Sequence, residues 1–268
     1  MKIRVLGTGH SMALNCYNAC IVMENNSKYL LVDSGGGAIL LKNLQLLNIK
    51  PEDIHDIFIS HIHMDHLLGC IWLIRYLLPK YFKKQIRQET RVYGSDEVIR
   101  VIIDICNLLM PEDFKYLLGT KIKFVEIEDK SKLSIISNEY EFFDLHSHKV
   151  KQFGFKTKIN DTDILSFIGD ECYSDKIRKY IENSEWLIAD AYTYGKEAER
   201  INPMKDHHHS SVKYISKVAE ELNIKNLILI HTLDYDLKNR RKKFTNDAKK
   251  YYNGNIIVPN DLETIILD

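Results

Sequence analysis

Short apolar segments that end in a polar residue recur along the chain, and this pattern restricts its fold more than any other feature. Strands that are buried on both faces are apolar throughout, as these segments are. The stretches between them carry apolar residues at three-to-four spacing, which is typical of helices. The pattern therefore predicts an α/β fold in which polar strand ends converge at one edge. The segments, each with its polar end, are 29–32 with Asp33, 57–59 with His61, 164–168 with Asp170, 186–189 with Asp190 and 227–230 with His231. The helical stretches are 37–48, 66–78, 95–109, 174–183 and 211–222.

The segment His61-Ile62-His63-Met64-Asp65-His66 places three histidines and an aspartate at the end of one of these strands. In an extended backbone, residues two apart point to the same side, so His61 and His63 can share one metal ion. Asp65 and His66 follow after a turn and can hold a second ion. Imidazole together with carboxylate suits zinc, manganese or iron. A polar loop that merely contains many histidines is the alternative, but four ligand-type side chains at this spacing favour a metal site.

Composition predicts a single domain over residues 1–268. Hydrophobic residues make up 45% of the chain, which is enough for a sizeable core. No repeat, low-complexity linker or compositional break divides the sequence. Lysine plus arginine equals aspartate plus glutamate at 37 each, so the molecule as a whole exerts no strong attraction on nucleic acid.

The N-terminus and the cysteines predict a cytoplasmic protein. The first residues are typical of a strand and lack the apolar core of a signal peptide, and no run is long enough to span a membrane. An odd number of irregularly spaced cysteines favours reduced thiols over a disulfide framework. These cysteines are Cys16, Cys20, Cys70, Cys106 and Cys172.

The cluster at 61–66 resembles the His-x-His-x-Asp-His signature of the metallo-β-lactamase superfamily. His148, followed by Phe153-Gly154-Phe155, is similar to the third-histidine motif of the RNase Z-like branch. The resemblance extends over nearly the whole chain and implies the superfamily's fold. That fold is a four-layer αβ/βα sandwich with two metal ions at one edge of its two sheets. The other matching motifs are the glycine-rich turn 7–11, the strand and turn 31–35, Gly169-Asp170-Glu171 and His231-Thr232.

The resemblance also implies a role for each metal-ligating residue. Asp170 would lie between the two ions and bridge them. His146 competes with His148 as a ligand, because positions two apart share one face of a strand, and the motif spacing favours His148. Asp33 either supports the ligands from behind or is a turn residue before glycine. Three residues would hold each ion: His61, His63 and His148 the first, and Asp65, His66 and His231 the second.

Two divalent ions about 3.5–4 Å apart can share a water and lower its pKa to about 7, which provides hydroxide at neutral pH. The family pattern implies that this metal-bridged hydroxide is the nucleophile and that zinc is the metal, with manganese or iron as alternatives. A histidine followed by serine, here His209, would protonate the leaving group. Asp190 would orient His209, at a position where the family usually has glutamate, and Asp65 completes the implied catalytic set. Ser210 is predicted to cap the helix that follows.

The short distance between His148 and Asp170 bears on the substrate. Relatives that process tRNA usually carry a long, glycine- and proline-rich arm between these positions, and residues 149–169 leave no room for it. We therefore expect a phosphodiesterase for a small nucleotide or phosphonate-type ester; RNA remains a substrate class, but full tRNA is not expected. Relatives are commonly dimers, which implies a homodimer. Segments 72–88 and 192–206 are expected to shape the mouth of the pocket.

Two alternatives stay open from the sequence alone. A carbonyl hydrolase for a lactone, thioester or β-lactam would use the same fold and the same ligands. A nucleic-acid-binding protein with a vestigial site belongs to a different class. The complete set of ligand types argues against that second alternative.

Overall fold

Two mixed β-sheets lie at the centre of the computed structural model, which describes residues 1–196 and 209–267. Within those residues each sheet has seven strands. The strands of the first sheet are β1 Lys2–Gly7, β2 Cys20–Asn25, β3 Lys28–Val32, β4 Ile54–Phe58, β5 Thr90–Gly94, β6 Ile122–Glu126 and, at the end of the chain, β14 Thr264–Ile266. Those of the second are β7 Lys132–Ile135, β8 Asn138–Asp144, β9 Phe153–Lys158, β10 Ile164–Phe167, β11 Trp186–Asp190, β12 Asn226–Ile230 and β13 Asn255–Ile257.

In one half of each sheet the neighbouring strands run parallel to one another. In the first sheet the order is β14-β1-β2-β3-β4-β5-β6, and neighbours from β3 to β6 are parallel. In the second the order is β13-β12-β11-β10-β9-β8-β7, and neighbours from β10 to β13 are parallel. Parallel neighbours bring their carboxyl ends to the same edge, which is where the sequence has its polar strand ends.

Helices cover the outer face of each sheet. One apolar cluster packs the helices that follow β3, β4 and β5 against the first sheet, and another packs the helices that follow β10, β11 and β12 against the second. A third cluster lies between the sheets and draws residues from both. The predicted four-layer αβ/βα sandwich is therefore confirmed. The helices are α1 Ile39–Leu46, α2 Met64–Phe82, α3 Asp96–Leu109, α4 Glu112–Lys115, α5 Arg178–Ile181, α6 Val212–Glu221 and α7 Leu237–Ala248, with short 3-10 turns at Pro51–Asp53 and Asp175–Ile177.

Aromatic rings in the layer between the sheets fix the end of β4. The Phe58 ring lies 5.1 Å from that of Phe142, 5.6 Å from that of Phe155 and 6.4 Å from that of Phe167, all fully or almost fully buried. Tilted and edge-on contacts of this kind add stability beyond the burial of apolar area. Since Phe58 precedes the histidine cluster by only three positions, this packing holds the start of the candidate site in place.

The predicted strands and helices of the sequence analysis are found, but one predicted helix cap is wrong. Ser211, not Ser210, caps α6, because its hydroxyl accepts a hydrogen bond from the Tyr214 N–H at 3.2 Å. The N–H of Ser210 instead donates to Asp190 at 2.6 Å. Ser210 is thus committed to the candidate site described below.

The predictions of reduced cysteines and of no membrane-spanning segment can be compared with the described residues. All five cysteines are free thiols. Among the described helices, none combines the length and the apolar character needed to cross a bilayer.

Candidate metal centre

The candidate site lies where the carboxyl ends of the parallel strands meet. His61 follows β4, Asp170 follows β10 and His231 follows β12, and the first turn of α2 adds Asp65 and His66. All five residues are buried. The backbone of His231 has a left-handed φ of 56°, which is uncommon for a non-glycine residue and persists only where the surroundings enforce it.

These side chains place their donor atoms close enough to share metal ions. One group, with donor atoms within 4.8 Å of one another, consists of His61, His66 and Asp170, and a second consists of Asp65, His66 and His231. A third group contains Asp170, His209 and His231. Neighbouring groups share members, so their donor atoms form one continuous cluster.

The distances between donor atoms suit ligands of a common ion. Nε2 of His61 lies 2.9 Å from Nδ1 of His63. Oδ2 of Asp65 lies 3.3 Å from Nε2 of His66 and 3.4 Å from Nε2 of His231. Two ligands of one tetrahedral zinc ion, with bonds of about 2.0–2.1 Å, are separated by about 3.3 Å. The Asp65 group therefore fits one ion, whereas the rings of His61 and His63 are joined by a hydrogen bond.

Asp170 faces both groups with different oxygen atoms. Its Oδ1 is 3.7 Å from Nε2 of His61, whereas its Oδ2 is 3.9 Å from Nε2 of both His66 and His231. Within the part of the chain that is described, Asp170 Oδ1 and His66 Nε2 are buried without a hydrogen-bond partner. Unpartnered buried polar atoms that converge in this way fit a pair of bridged metal ions.

Asp33 and Ser60 hold two of the candidate ligands from behind. Asp33 Oδ2 lies 2.8 Å from Nδ1 of His66, which directs Nε2 of that ring into the site. The same carboxylate accepts hydrogen bonds from the N–H and the hydroxyl of Ser60, and the Ser60 hydroxyl lies 2.9 Å from Nδ1 of His61. Such outer partners fix the tautomer and orientation of metal-binding histidines. The structure thus places Asp33 in a supporting position rather than in an isolated turn.

Asp190 has more partners than the sequence suggested. Its Oδ1 lies 3.2 Å from Nδ1 of His231, and its Oδ2 accepts the hydrogen bond from Ser210. His209, its predicted partner, is further away, with Nδ1 at 3.5 Å from Asp190 Oδ2 and at 3.9 Å from Asp170 Oδ2. Asp190 therefore orients His231 by a hydrogen bond and faces His209 at ion-pair distance.

Ring stacking defines the position of His209. Its ring lies flat between His231, with centroids 5.0 Å apart, and Tyr192, with centroids 5.2 Å apart. The side chain is 18% exposed, while Nδ1 is buried. The exposed part of the ring can therefore meet a substrate while Nδ1 faces the carboxylates.

The two carboxylates of the site are held in their charged form. Burial raises the pKa of Asp65, but the neighbouring rings of His231 and His66 outweigh burial and hold that pKa well below its usual range. Burial likewise opposes ionisation of Asp170, and the nearby charges of His61 and His66 hold its pKa low. Two ionised carboxylates in a buried site require cations to balance them.

In the metal-free protein, protonated histidines supply that balance. Burial lowers the pKa of His231, yet hydrogen bonds to Asp190 and Asp65 raise it to about 9. Asp33 raises the pKa of His66 in the same way, against the effect of burial. A metal ion that binds these rings must displace their protons.

His148 and His146 lie apart from this cluster. Both are exposed and line a shallow surface depression together with Lys149 and Lys151. The donor groups found among the described residues include neither histidine. The structure thus brings five of the seven predicted ligands into shared donor groups. His63 contacts His61 but belongs to none of these groups, and His63 and His148 as ligands of the first ion remain predictions.

Sequence reasoning overlooked two residues of the site, Ser60 and His10. Ser60 adjoins the histidine cluster, but only the fold shows that it connects Asp33 with His61. The sequence places His10 only in the glycine-rich turn 7–11, whereas in the fold its ring packs edge-on against that of Tyr192, with centroids 5.3 Å apart. Of the predicted pocket-mouth segment 192–206, residues 197–206 lie outside the described part of the chain.

Comparison with known proteins adds a family and several relatives. The family model "Anti-Pycsar protein Apyc1" matches residues 1–246. Ribonuclease Z from Nanoarchaeum equitans is 23% identical over 270 residues, covering 85% of this chain and 82% of that protein. Ribonuclease Z from Pediococcus pentosaceus is 21% identical and covers 96% of both chains.

Solved structures show the same fold at low sequence identity. The metallo-β-lactamase fold protein YhfI from Bacillus subtilis has a TM-score of 0.78 at 18% identity and covers 98% of both chains. The short form of human tRNase Z has a TM-score of 0.73 at 18% identity and covers 100% of both chains. A diphosphatase of the PhnP family has a TM-score of 0.74 at 15% identity and covers 100% of this chain and 98% of that one.

Proposed function

The chain belongs to the family of the anti-Pycsar protein Apyc1, and from that premise we propose that it is a dimetal-dependent phosphodiesterase. Two relatives are named ribonuclease Z, and one similar structure is that of a diphosphatase. Both names denote hydrolases that cleave bonds to phosphorus. The observation that carries the proposal is the placement of Asp170, whose Oδ1 faces the buried His61 while its Oδ2 faces the buried His66 and His231.

We propose the following ligands for the two ions, with zinc as the metal. His61 and His63, with His148, would hold the first ion, and Asp65, His66 and His231 the second; Asp170 would contact both. When bound, two such ions supply an activated water and positive charge for the phosphoryl oxygens.

The protein's own side chains orient the site and move the proton. Asp33 and Asp190 accept hydrogen bonds from Nδ1 of His66 and His231, so that Nε2 of each ring is directed inwards and is the atom that loses its proton when a metal ion binds. His209 has Nδ1 3.5 Å from Oδ2 of Asp190, and this contact orients the ring. The proposed general acid is therefore His209, with its Nε2–H directed towards the leaving-group oxygen.

The structure supports a small substrate. Between His148 and Asp170 the chain is occupied by the antiparallel pair β9 and β10, whose strands are joined by residues 159–163. This hairpin is part of the second sheet, so the interval between His148 and Asp170 contains no segment that could form an arm to hold a tRNA. We propose a small nucleotide or phosphonate-type diester as the substrate.

The proposal is tested with chelated protein reloaded separately with zinc and manganese. Hydrolysis of bis-(p-nitrophenyl) phosphate that returns with metal is the expected result. A lactone, a thioester and a β-lactam are assayed in parallel. Turnover of a carbonyl substrate without turnover of any phosphodiester would replace this proposal with the carbonyl hydrolase.

A further inference from the structure

His10 is a buried histidine beside the candidate site that the proposed mechanism does not use. Its side chain is 7% exposed, and it belongs to none of the metal-donor groups found among the described residues. Its N–H donates to the Thr232 carbonyl at 3.3 Å, next to His231. Its carbonyl accepts a hydrogen bond from Asn18, which in turn accepts one from the Gly36 N–H. The backbone of His10 is thus held next to the segment that carries His231.

The ring of His10 has a fixed tautomer in its neutral form. Its Nδ1 accepts a hydrogen bond from the Met12 N–H at 3.3 Å, which leaves the ring proton on Nε2. Burial, followed by the charge of His231, lowers the pKa of His10, against the opposing effect of Asp234. A neutral ring with a directed Nε2–H is the form that results.

That donor is buried and makes no hydrogen bond, although Asp234 lies at ion-pair distance from it. Within the described part of the chain, Nε2 of His10 has no hydrogen-bond partner. Asp234 Oδ1 lies 3.6 Å away, beyond hydrogen-bond distance, and Asp234 Oδ2 accepts hydrogen bonds from the N–H groups of Leu14 and Asn15. A buried donor without a partner destabilises the folded protein, and each such group calls for an explanation. A ligand that accepts the hydrogen bond provides one.

The surroundings of His10 indicate which ligand would reach it. The rings of His10 and Tyr192 pack edge-on, and Tyr192 stacks on His209, the proposed general acid. His10 therefore lies on the same side of the site as His209 and His231. A phosphodiester held between these histidines has anionic non-bridging oxygens, which are strong hydrogen-bond acceptors.

We propose that Nε2–H of His10 donates a hydrogen bond to a non-bridging phosphoryl oxygen of the substrate. The inference rests on the proposed function and adds a substrate-contacting residue to it. A neutral donor at this place stabilises the negative charge that these oxygens carry in the transition state. His10 and His209 thus have separate tasks, because one contacts the phosphoryl group and the other protonates the leaving group.

The test compares His10→Leu with His10→Gln. Leucine removes the donor, whereas the glutamine amide nitrogen can approach the position of Nε2 and keep it. We expect His10→Leu to lower kcat/KM by about a hundredfold, a typical effect of losing one such donor, and His10→Gln to recover most of that loss. The loss should be equal for an aryl diester and for a diester with an alkoxide leaving group, because the contact does not involve the leaving group. Metal content should stay at the wild-type level in both variants.

His55→Leu is the matched control. It removes another imidazole whose Nδ1 is buried without a partner among the described residues, but at the opposite end of β4. Its kcat/KM should equal that of the wild type. Equal activity of His10→Leu and wild type, or equal losses in His10→Leu and His10→Gln, would overturn the inference.

Binding of inorganic phosphate to metal-loaded protein separates this inference from the proposed function. If the wild type hydrolyses no phosphodiester, the proposed function fails, yet calorimetry can still show phosphate binding. Weaker phosphate binding in His10→Leu than in His10→Gln would then support the contact. No difference between the two variants, or no phosphate binding by the wild type, would overturn it.

Discussion

At the scale of single residues, the candidate site is a set of hydrogen-bonded histidines directed at two carboxylates. Asp33 and Asp190 each fix one ring through Nδ1, and those rings face Asp65 and Asp170 with Nε2. The position of each donor atom is therefore set by a partner outside the metal-binding group. Substitution of a ligand and substitution of the general acid should consequently have different effects.

Asp170→Ala and His209→Ala separate these two roles. Both variants should lose phosphodiesterase activity, by about a hundredfold or more for His209→Ala with a poor leaving group. Only Asp170→Ala should lose metal, because His209 is not proposed as a ligand. Metal content measured by mass spectrometry alongside kcat distinguishes them. Equal metal loss in the two variants would show that His209 has been given the wrong role.

Metal binding should release protons at pH 7. The pKa of His231 is about 9 in the metal-free protein, so its ring is protonated at pH 7 and must lose that proton to bind a metal. Metal affinity should therefore rise as the pH rises from 6 to 9 and level off above the pKa. Calorimetry in buffers of different ionisation enthalpy counts the released protons. Asp190→Asn removes a charge that raises this pKa and should release fewer; proton release that is absent in wild type would contradict the assignment.

At the scale of elements, the motif Phe153-Gly154-Phe155 is explained by packing. A Cβ atom on Gly154 would lie 2.5 Å from the carbonyl oxygen of Phe167 and 2.9 Å from the ring of Phe143. The glycine thus allows β9 to lie close to its neighbours in the second sheet.

Gly154→Ala should destabilise the protein by about 1–3 kcal/mol, the usual effect of overpacking a core. Gly37→Ala is the control, because a Cβ there would meet no atom within 4 Å. Denaturant unfolding of both variants measures the difference in unfolding free energy. Equal unfolding free energies for the two variants would mean that β9 can shift to accept the added methyl group without loss of stability.

Sequence and structure agree where strands carry the site. His61, Asp170, Asp190 and His231 could be placed together because each follows an apolar strand, and parallel strands end at a common edge. No such constraint applies to His148, which lies in the connection between β8 and β9. Its place in the family motif predicts a ligand, but periodicity cannot orient a loop.

Two other features, the cap of α6 and the position of His10, depend on contacts between segments that are distant in the sequence. Ser210 and Ser211 are equivalent helix caps by residue type, and the choice falls on Ser211 because Asp190 binds the N–H of Ser210. The spacing of residues around His10 gives no signal, because its neighbours in the fold, Thr232 and Asp234, are more than two hundred positions away.

At the scale of the whole molecule, the candidate site joins two halves of the chain. His61, Asp65 and His66 come from the first sheet and its helix, whereas Asp170 and His231 come from the second sheet. Ions held between them would connect the two sheets at one edge of the sandwich.

Removal of metal should therefore lower thermal stability. A ligand that binds only the folded state stabilises it in proportion to the logarithm of ligand concentration over Kd. Chelation should lower Tm in the wild type and have a smaller effect in Asp170→Ala, which has lost part of its metal. Identical Tm values for metal-loaded and chelated wild-type protein would argue against ions that connect the sheets.

The most direct test of the proposed dimetal centre is electron paramagnetic resonance of manganese-loaded protein. Two ions bridged by Asp170, about 3.5–4 Å apart, predict two manganese ions per chain with the spectrum of an exchange-coupled pair. Asp170→Ala should give only the spectrum of isolated ions. Saturation at one ion per chain, or two uncoupled ions in the wild type, would contradict the dimetal centre on which the proposed function depends.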